Sequence, residues 1–221
     1  MITLAIDAST YAGDVAVLDG VCVLAEDSVA MKDAEREHLM PAVRTSMERA
    51  GVRARDIQRI VCGAGPGSFT SLRIAGAIAK GLASGVGCPL FAVSSMALIL
   101  GGAQLPSGRY LVAIDALRDE FYVGLYTVDA TGSIAEVEPV RLAASGHVPE
   151  LAETLEARVV SPSRLPGVIT AAPRARAVAL LESILRDSGP VSVDRWEPSY
   201  GRLAEAQVRW ESAHRQTLPS V

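Results

Sequence analysis

The chain has 221 residues, 49% hydrophobic but only 5% aromatic, and a formal net charge of −4. That length allows one large domain or two lobes around a core built mostly from Ala, Val, Leu and Ile, and the acidic balance excludes a strong nucleic-acid-binding field. Even the most basic stretch, Lys32 to Arg59, sets seven Lys and Arg against five Asp and Glu, so any grip on RNA falls to a partner.

The opening Met1-Ile2-Thr3-Leu4-Ala5-Ile6-Asp7 lacks the charged region and long apolar segment of a signal peptide. No run approaches the ~20 uninterrupted apolar residues of a membrane span, so a soluble, cytoplasmic protein is expected. Thr3–Ile6, Asp14–Leu18 and Val21–Leu24 read as strands, the last two joined by an Asp19-Gly20 hairpin signal. Leu39, Met40, Val43, Met47 and Ala50 then recur at helical spacing, Gly51 suits the C-cap, and Pro41 must start or kink that helix. Arg59–Cys62 is strand-like and runs into Gly63, Gly65, Pro66 and Gly67, after which Thr70–Ser84 reads as a second helix. Pro89–Val93 is the next strand, and Gly101–Gly108 resembles a linker between an N-terminal lobe, 1–104, and a C-terminal lobe, 105–221.

The second half repeats the first. Ala5-Ile6-Asp7-Ala8 returns as Ala113-Ile114-Asp115-Ala116, followed by an antiparallel-type strand at Phe121–Val128 and a turn at Ala130-Thr131-Gly132. Two such halves predict a duplicated α/β fold of the actin-like, ribonuclease-H-like kind, with the aspartate-bearing turns facing a cleft. Helical patterns at Pro149–Ala157 and Arg174–Arg186 and a short strand at Val168–Thr170 leave this half poorer in regular elements, a reduced second lobe.

The glycine loop invites a phosphate-cradle reading, and known spacings reject it. No Lys precedes Ser or Thr as a Walker loop demands, and the alternating glycines miss the dinucleotide fingerprint by one residue. Asp7 and Asp115 could hold magnesium or orient water, but the turns after them lack phosphate-wrapping glycines, and a strand-end structural role outweighs catalysis. His38, His147 and His214 are scattered without ligand spacing, which argues against a metal. Ser68 has no nucleophile-elbow pattern, so a hydrolase is disfavoured. Cys22, Cys62 and Cys88 are widely spaced and read as free thiols, the last two beside apolar runs. The second helix is rich in small residues, Ala75, Gly76, Ala77, Ala79, Gly81, Ala83 and Ser84. Its glycines imply close approach of another backbone, either this chain's own sheet or a partner.

Gly65-Pro66-Gly67-Ser68-Phe69-Thr70-Ser71-Leu72-Arg73-Ile74 is similar to the GPGSFTGLRIG signature of the TsaB family of tRNA threonylcarbamoyladenosine synthesis. Ala5–Thr10 resembles that family's opening strand, Ala113–Ala116 with Glu120-Phe121-Tyr122 its second-lobe segment, and Glu197–Arg202 its C-terminal P-x-Y-x-R. The resemblance implies a two-lobed actin-like fold without catalytic activity. It also implies heterodimerisation with a TsaD-like catalytic subunit, recruitment of a TsaE-like ATPase, and contact with tRNA only through the complex. Where the catalytic homologue carries two metal-binding histidines, Val93–Ile99 here has none. The interface implied comprises Leu39, Met40, Val43 and Met47 of the first helix, with Ser68, Phe69, Leu72, Arg73, Ala75, Gly76, Ala79, Lys80 and Ala83 of the second. No cofactor is expected in the chain itself, although a nucleotide at the heterodimer interface is compatible with the pattern. Homodimerisation in isolation and return of the C-terminal segment onto the N-lobe are also compatible with it. Ser71 and Ala75 replace family glycines, and Glu35 stands where the family carries a His. A small-molecule kinase or ATPase of the same fold is the rival reading.

Overall fold

The computed structural model describes residues 1–31 and 37–200. Its frame is two five-stranded sheets laid out in the same order. In the first half, β1 (Ile2–Asp7), β2 (Ala12–Asp19) and β3 (Cys22–Ala30) form an antiparallel meander. There follow α1 (Leu39–Ala50), β4 (Arg59–Gly63), α2 (Phe69–Val86), β5 (Leu90–Val93) and α3 (Ser95–Gly102). The sheet order is β3-β2-β1-β4-β5, with β1, β4 and β5 mutually parallel. The second half repeats the meander with β6 (Gly108–Asp115), β7 (Glu120–Val128) and β8 (Ile134–Ala144). It continues through α4 (Val148–Thr154), β9 (Arg158–Ser161) and β10 (Ile169–Thr170), in the order β10-β9-β6-β7-β8. A 3-10 turn at Ala175–Leu180 and α5 (Glu182–Ser188) follow. This is the duplicated, two-lobed actin-like fold that the sequence repeat predicts. The second lobe is the smaller in helix: α4 has 7 residues against 12 in α1, and residues 162–168, between β9 and β10, carry no helix.

The central strands β1 and β4 are covered on both faces, and so their sequences are apolar throughout rather than alternating. Pro41 lies in the first turn of α1, where a missing N–H breaks no helical bond. The left-handed Gly51 ends α1, its N–H bonding to Glu48 and Met47 carbonyls.

Three features depart from the expectation. The Gly101–Gly108 linker instead begins inside α3, a helix buried all round and therefore without the stripe that would reveal it. A side chain at Gly101 would press on Ala177, and one at Gly102 on Arg174, so both glycines serve packing between the halves. Arg174–Arg186 is not one helix but a 3-10 turn and α5 separated at Leu181. The carboxylate of Asp14 accepts from the Ala175 N–H (2.6 Å) and the Leu98 carbonyl from the Arg174 N–H (3.3 Å), tying this backbone to the first half before a helix can begin. Finally, β8 was hidden by Pro139, which an edge strand tolerates and which falls at the register break opposite Gly124. Among the described residues no helix is long and apolar enough to cross a membrane.

Candidate partner-binding site

The turn after β1 and the glycine loop after β4 are sewn together. Asp7, fully buried at the end of β1, accepts from Ser9 N (2.9 Å), Ser9 Oγ (2.8 Å) and Ser95 Oγ (2.6 Å). Burial pushes its carboxyl above the usual range, and the hydrogen bonds from Ser95 and Ser9 offset this only in part. A Cβ on Gly63 would fall inside the Asp7 carboxylate, and one on Gly67 inside the Ser9 backbone. Ser68 N donates to Ser9 O (2.7 Å), Gly65 N to Ser95 Oγ (3.0 Å), and Ser95 N to Gly65 O (2.9 Å). The loop's backbone is thus packed directly against Asp7, Ser9 and Ser95. Asp115, by contrast, is exposed and accepts from Leu117 N (2.7 Å). Both aspartates therefore terminate strands through backbone bonds, as their sequence context suggested.

A strap formed by residues 189–200 crosses this region. Val191 bridges to Leu90 of β5, Lys80 Nζ of α2 donates to Trp196 O (3.0 Å), and Ser199 N donates to Ala64 O (2.7 Å). Gly65, with φ +90°, lies under the Ser199 carbonyl, which leaves no room for a side chain. Tyr200 then stacks tilted on Phe69, ring centroids 4.6 Å apart, and the Arg73 guanidinium lies 4.8 Å above the Phe69 ring. Pro198 and Tyr200 belong to the P-x-Y-x-R segment marked by the family resemblance, whereas nothing local in the sequence marks Trp196 or the contact of this segment with α2.

The residues expected at the interface divide into two sets. Leu39 and Val43 are buried against the first sheet, as are Leu72, Ala75, Ala79 and Ala83, and all but Leu72 join one core cluster. A Cβ on Gly76 would lie 3.1 Å from Pro198 Cγ and 3.6 Å from the Trp196 ring, so the close approach that its missing side chain permits is to this chain's own strap. These positions are structural, a correction to their placement on a partner surface. Met40, Phe69 and Arg73 are exposed, and Met47, Ser68 and Lys80 are half-buried. The solvent-facing edge of α2 runs through Arg73, Ala77, Gly81, Ser84 and Gly85, and a Cβ on Gly81 or Gly85 would meet nothing within 4 Å. Ser68 Oγ pairs with Ser71 Oγ at 3.0 Å. Among the described residues no group of three His, Cys, Asp or Glu side chains could hold a metal. Cys62 is buried, Cys88 partly so, and Cys22 exposed.

The family model for tRNA N6-adenosine threonylcarbamoyltransferase, TsaD, matches residues 29–152. The tRNA threonylcarbamoyladenosine biosynthesis protein TsaB of Bacillus subtilis is 30% identical over 227 residues, covering 95% of this chain and 98% of that protein. The chain belongs to the TsaB family. The Escherichia coli protein of the same name is 36% identical over 131 residues, 58% of this chain and 56% of its own length. Among solved structures, an uncharacterized Pseudomonas aeruginosa protein described as similar to peptidase YEAZ superposes with a TM-score of 0.77 at 27% identity, covering 91% of this chain and 99% of that one. The family's first-helix histidine position, Glu35, and the last two residues of the P-x-Y-x-R segment, Gly201 and Arg202, lie outside the described residues.

Proposed function

We propose that this chain serves threonylcarbamoylation of the anticodon-adjacent adenosine of tRNA as a non-catalytic partner subunit. It pairs with a TsaD-like catalytic chain, the pair recruits a TsaE-like ATPase, and tRNA is reached through the complex. The observation that carries this reading is the near full-length identity with the B. subtilis TsaB protein. The non-catalytic role is supported by the buried Asp7 and by a glycine loop closed over Ser9 and covered by the strap. Those contacts weigh against the kinase or ATPase alternative. Any nucleotide would then belong to the heterodimer interface.

The partner-facing surface on this reading is the exposed edge of α2, whose Ala77, Gly81, Ser84 and Gly85 let a second helix approach closely, with Met40 and Met47 of α1 beside it. Gly81→Leu tests it. Gly81 lies inside α2 with open space around it, so a side chain should raise helix stability by roughly 0.5–1 kcal/mol. The same side chain blocks close helix approach. The expected outcome is an unchanged or higher melting temperature, with capture of the TsaD-like subunit weakened at least about 100-fold, roughly 3 kcal/mol. Unchanged capture would remove α2 from the interface. ATP hydrolysis by the isolated chain, measured beside the complex, would favour the kinase reading.

A further inference from the structure

A cleft of about 430 Å³ opens between the two halves. The end of β5 and the start of α3 supply one wall, β7 and β8 the other, and α5 the third side. Ala97, Ile134 and Ile184 give it an apolar lining, and Glu136 of β8 and Asp187 of α5 line it with exposed carboxylates. No Lys, Arg or His is among the described residues that line it, so the two carboxylates leave it with uncompensated negative charge. Such a concave, low-dielectric site concentrates the field of its charges and draws in cations.

Glu136 is not a free surface carboxylate. Tyr126, 0% exposed, donates from Oη to Glu136 Oε2 at 3.2 Å and shares a 3.0 Å hydrogen bond with Ser94 Oγ. Burial pushes the Tyr126 hydroxyl above its ordinary range, which keeps it a donor. The acceptor is thereby fixed at the seam between the lobes, a pre-organised partner for a donor ligand. An anion finds nothing here, because the first N–H groups of α3 are already used. Ser95 N donates to Gly65 O (2.9 Å), Met96 N to Ser94 Oγ (3.2 Å), and Ala97 N and Leu98 N to Ser94 O (3.1 and 3.3 Å). We propose that this cleft binds an aliphatic diamine, one ammonium at Glu136, the other at Asp187, and the methylenes over the apolar lining. The proposal does not depend on the partner reading, since the isolated chain forms the whole cleft.

Calorimetric titration of the full-length chain with 1,5-diaminopentane at low ionic strength tests this. Saturable one-to-one binding is expected, with a Kd of about 1 mM or tighter. Pentylamine should bind at least roughly 10-fold more weakly, and 1,5-pentanediol should give no heat of binding. Glu136→Gln and Asp187→Asn should each weaken the diamine at least about 10-fold. Both side chains are exposed, so the melting temperature should not move. Tyr126→Phe should weaken binding roughly 3-fold in the unmodified chain and add no loss to Glu136→Gln, because the hydroxyl acts through that carboxylate. Equal losses in the two backgrounds would overturn its positioning role. No saturable binding by about 10 mM would overturn the proposal. So would affinity that survives both carboxylate substitutions, which marks general attraction to an acidic chain. Displacement of the diamine by magnesium chloride at equal concentration would overturn it too, since the cleft would then select charge rather than an amine.

Discussion

Asp7 is the residue around which the turn after β1 and the glycine loop are packed. Its carboxylate is held at the end of β1 by three hydrogen bonds from two serines, and the Gly63 backbone lies against it. Each neighbour is therefore constrained by the one buried carboxylate. Ser95→Ala removes the 2.6 Å donor and leaves a buried oxygen short of a partner, which should cost about 1–3 kcal/mol. Gly63→Ala forces a methyl into the carboxylate, and overpacking of this kind costs about 1–3 kcal/mol, at the upper end where the neighbour is fixed. Denaturant unfolding should show both losses in the Asp7 chain and a smaller penalty for Gly63→Ala when Asp7 is replaced by the smaller Ala. Equal penalties in the two backgrounds would mean that Gly63 answers to something other than the carboxylate.

At the scale of elements, the strap accounts for one of the two glycines whose role the sequence left open and distinguishes it from the other. Gly76 opens a path for Pro198, whereas Gly81, one turn and a half further along α2, faces solvent. A matched pair of substitutions separates them. Gly76→Leu should lift the strap and free the backbone around the already exposed Arg195, raising tryptic cleavage there by roughly 10-fold or more, because proteolysis tracks local opening. Gly81→Leu should leave that rate unchanged, and an equal effect of both would remove the strap from contact with α2. What was legible beforehand follows from the same physics. The duplicated strand-Asp-turn-strand unit and the first two helices depend on local spacing, which a sequence displays directly. The residues of α3, buried on every side, and of β8, interrupted by Pro139, carry no clean period. The inward turn of Leu72, Ala75 and Ala79 was ambiguous for another reason: a small-residue face suits the chain's own sheet as well as a partner's helix. Return of the C-terminal segment was indicated by the family resemblance alone, and the strap's individual contacts were illegible because they join residues more than 100 positions apart, as Lys80 and Trp196 do.

For the whole molecule, the question is what holds the two halves in one arrangement. Besides the α3 core, the halves meet through charges. Arg174 pairs with Asp14 of β2 at 3.2 Å and with Glu26 of β3 at 3.4 Å, Arg176 pairs with Glu26 at 3.0 Å, and buried Arg59 of β4 pairs with Glu182 of α5. Asp14 is the member at odds with its setting. Burial pushes its carboxyl up to about 6, against the opposing pull of the Ala175 N–H and Arg174, while Asp7 and Glu26 push it further up. A carboxyl raised from its unfolded value near 3.8 favours the folded state most when protonated, so its contribution is complete below that value and is lost as pH rises through about 6. The span corresponds to about 3 kcal/mol. Asp14→Asn keeps an acceptor for the Ala175 N–H but cannot titrate. Its stability relative to the unmodified chain should therefore climb as pH rises from about 4 to 7, by up to about 3 kcal/mol. Parallel urea titrations of the two chains across that range measure the difference. A gap that stays flat with pH would show that Asp14 ionises in the folded protein as it does in the unfolded one, and that the junction between the halves accommodates its charge without cost.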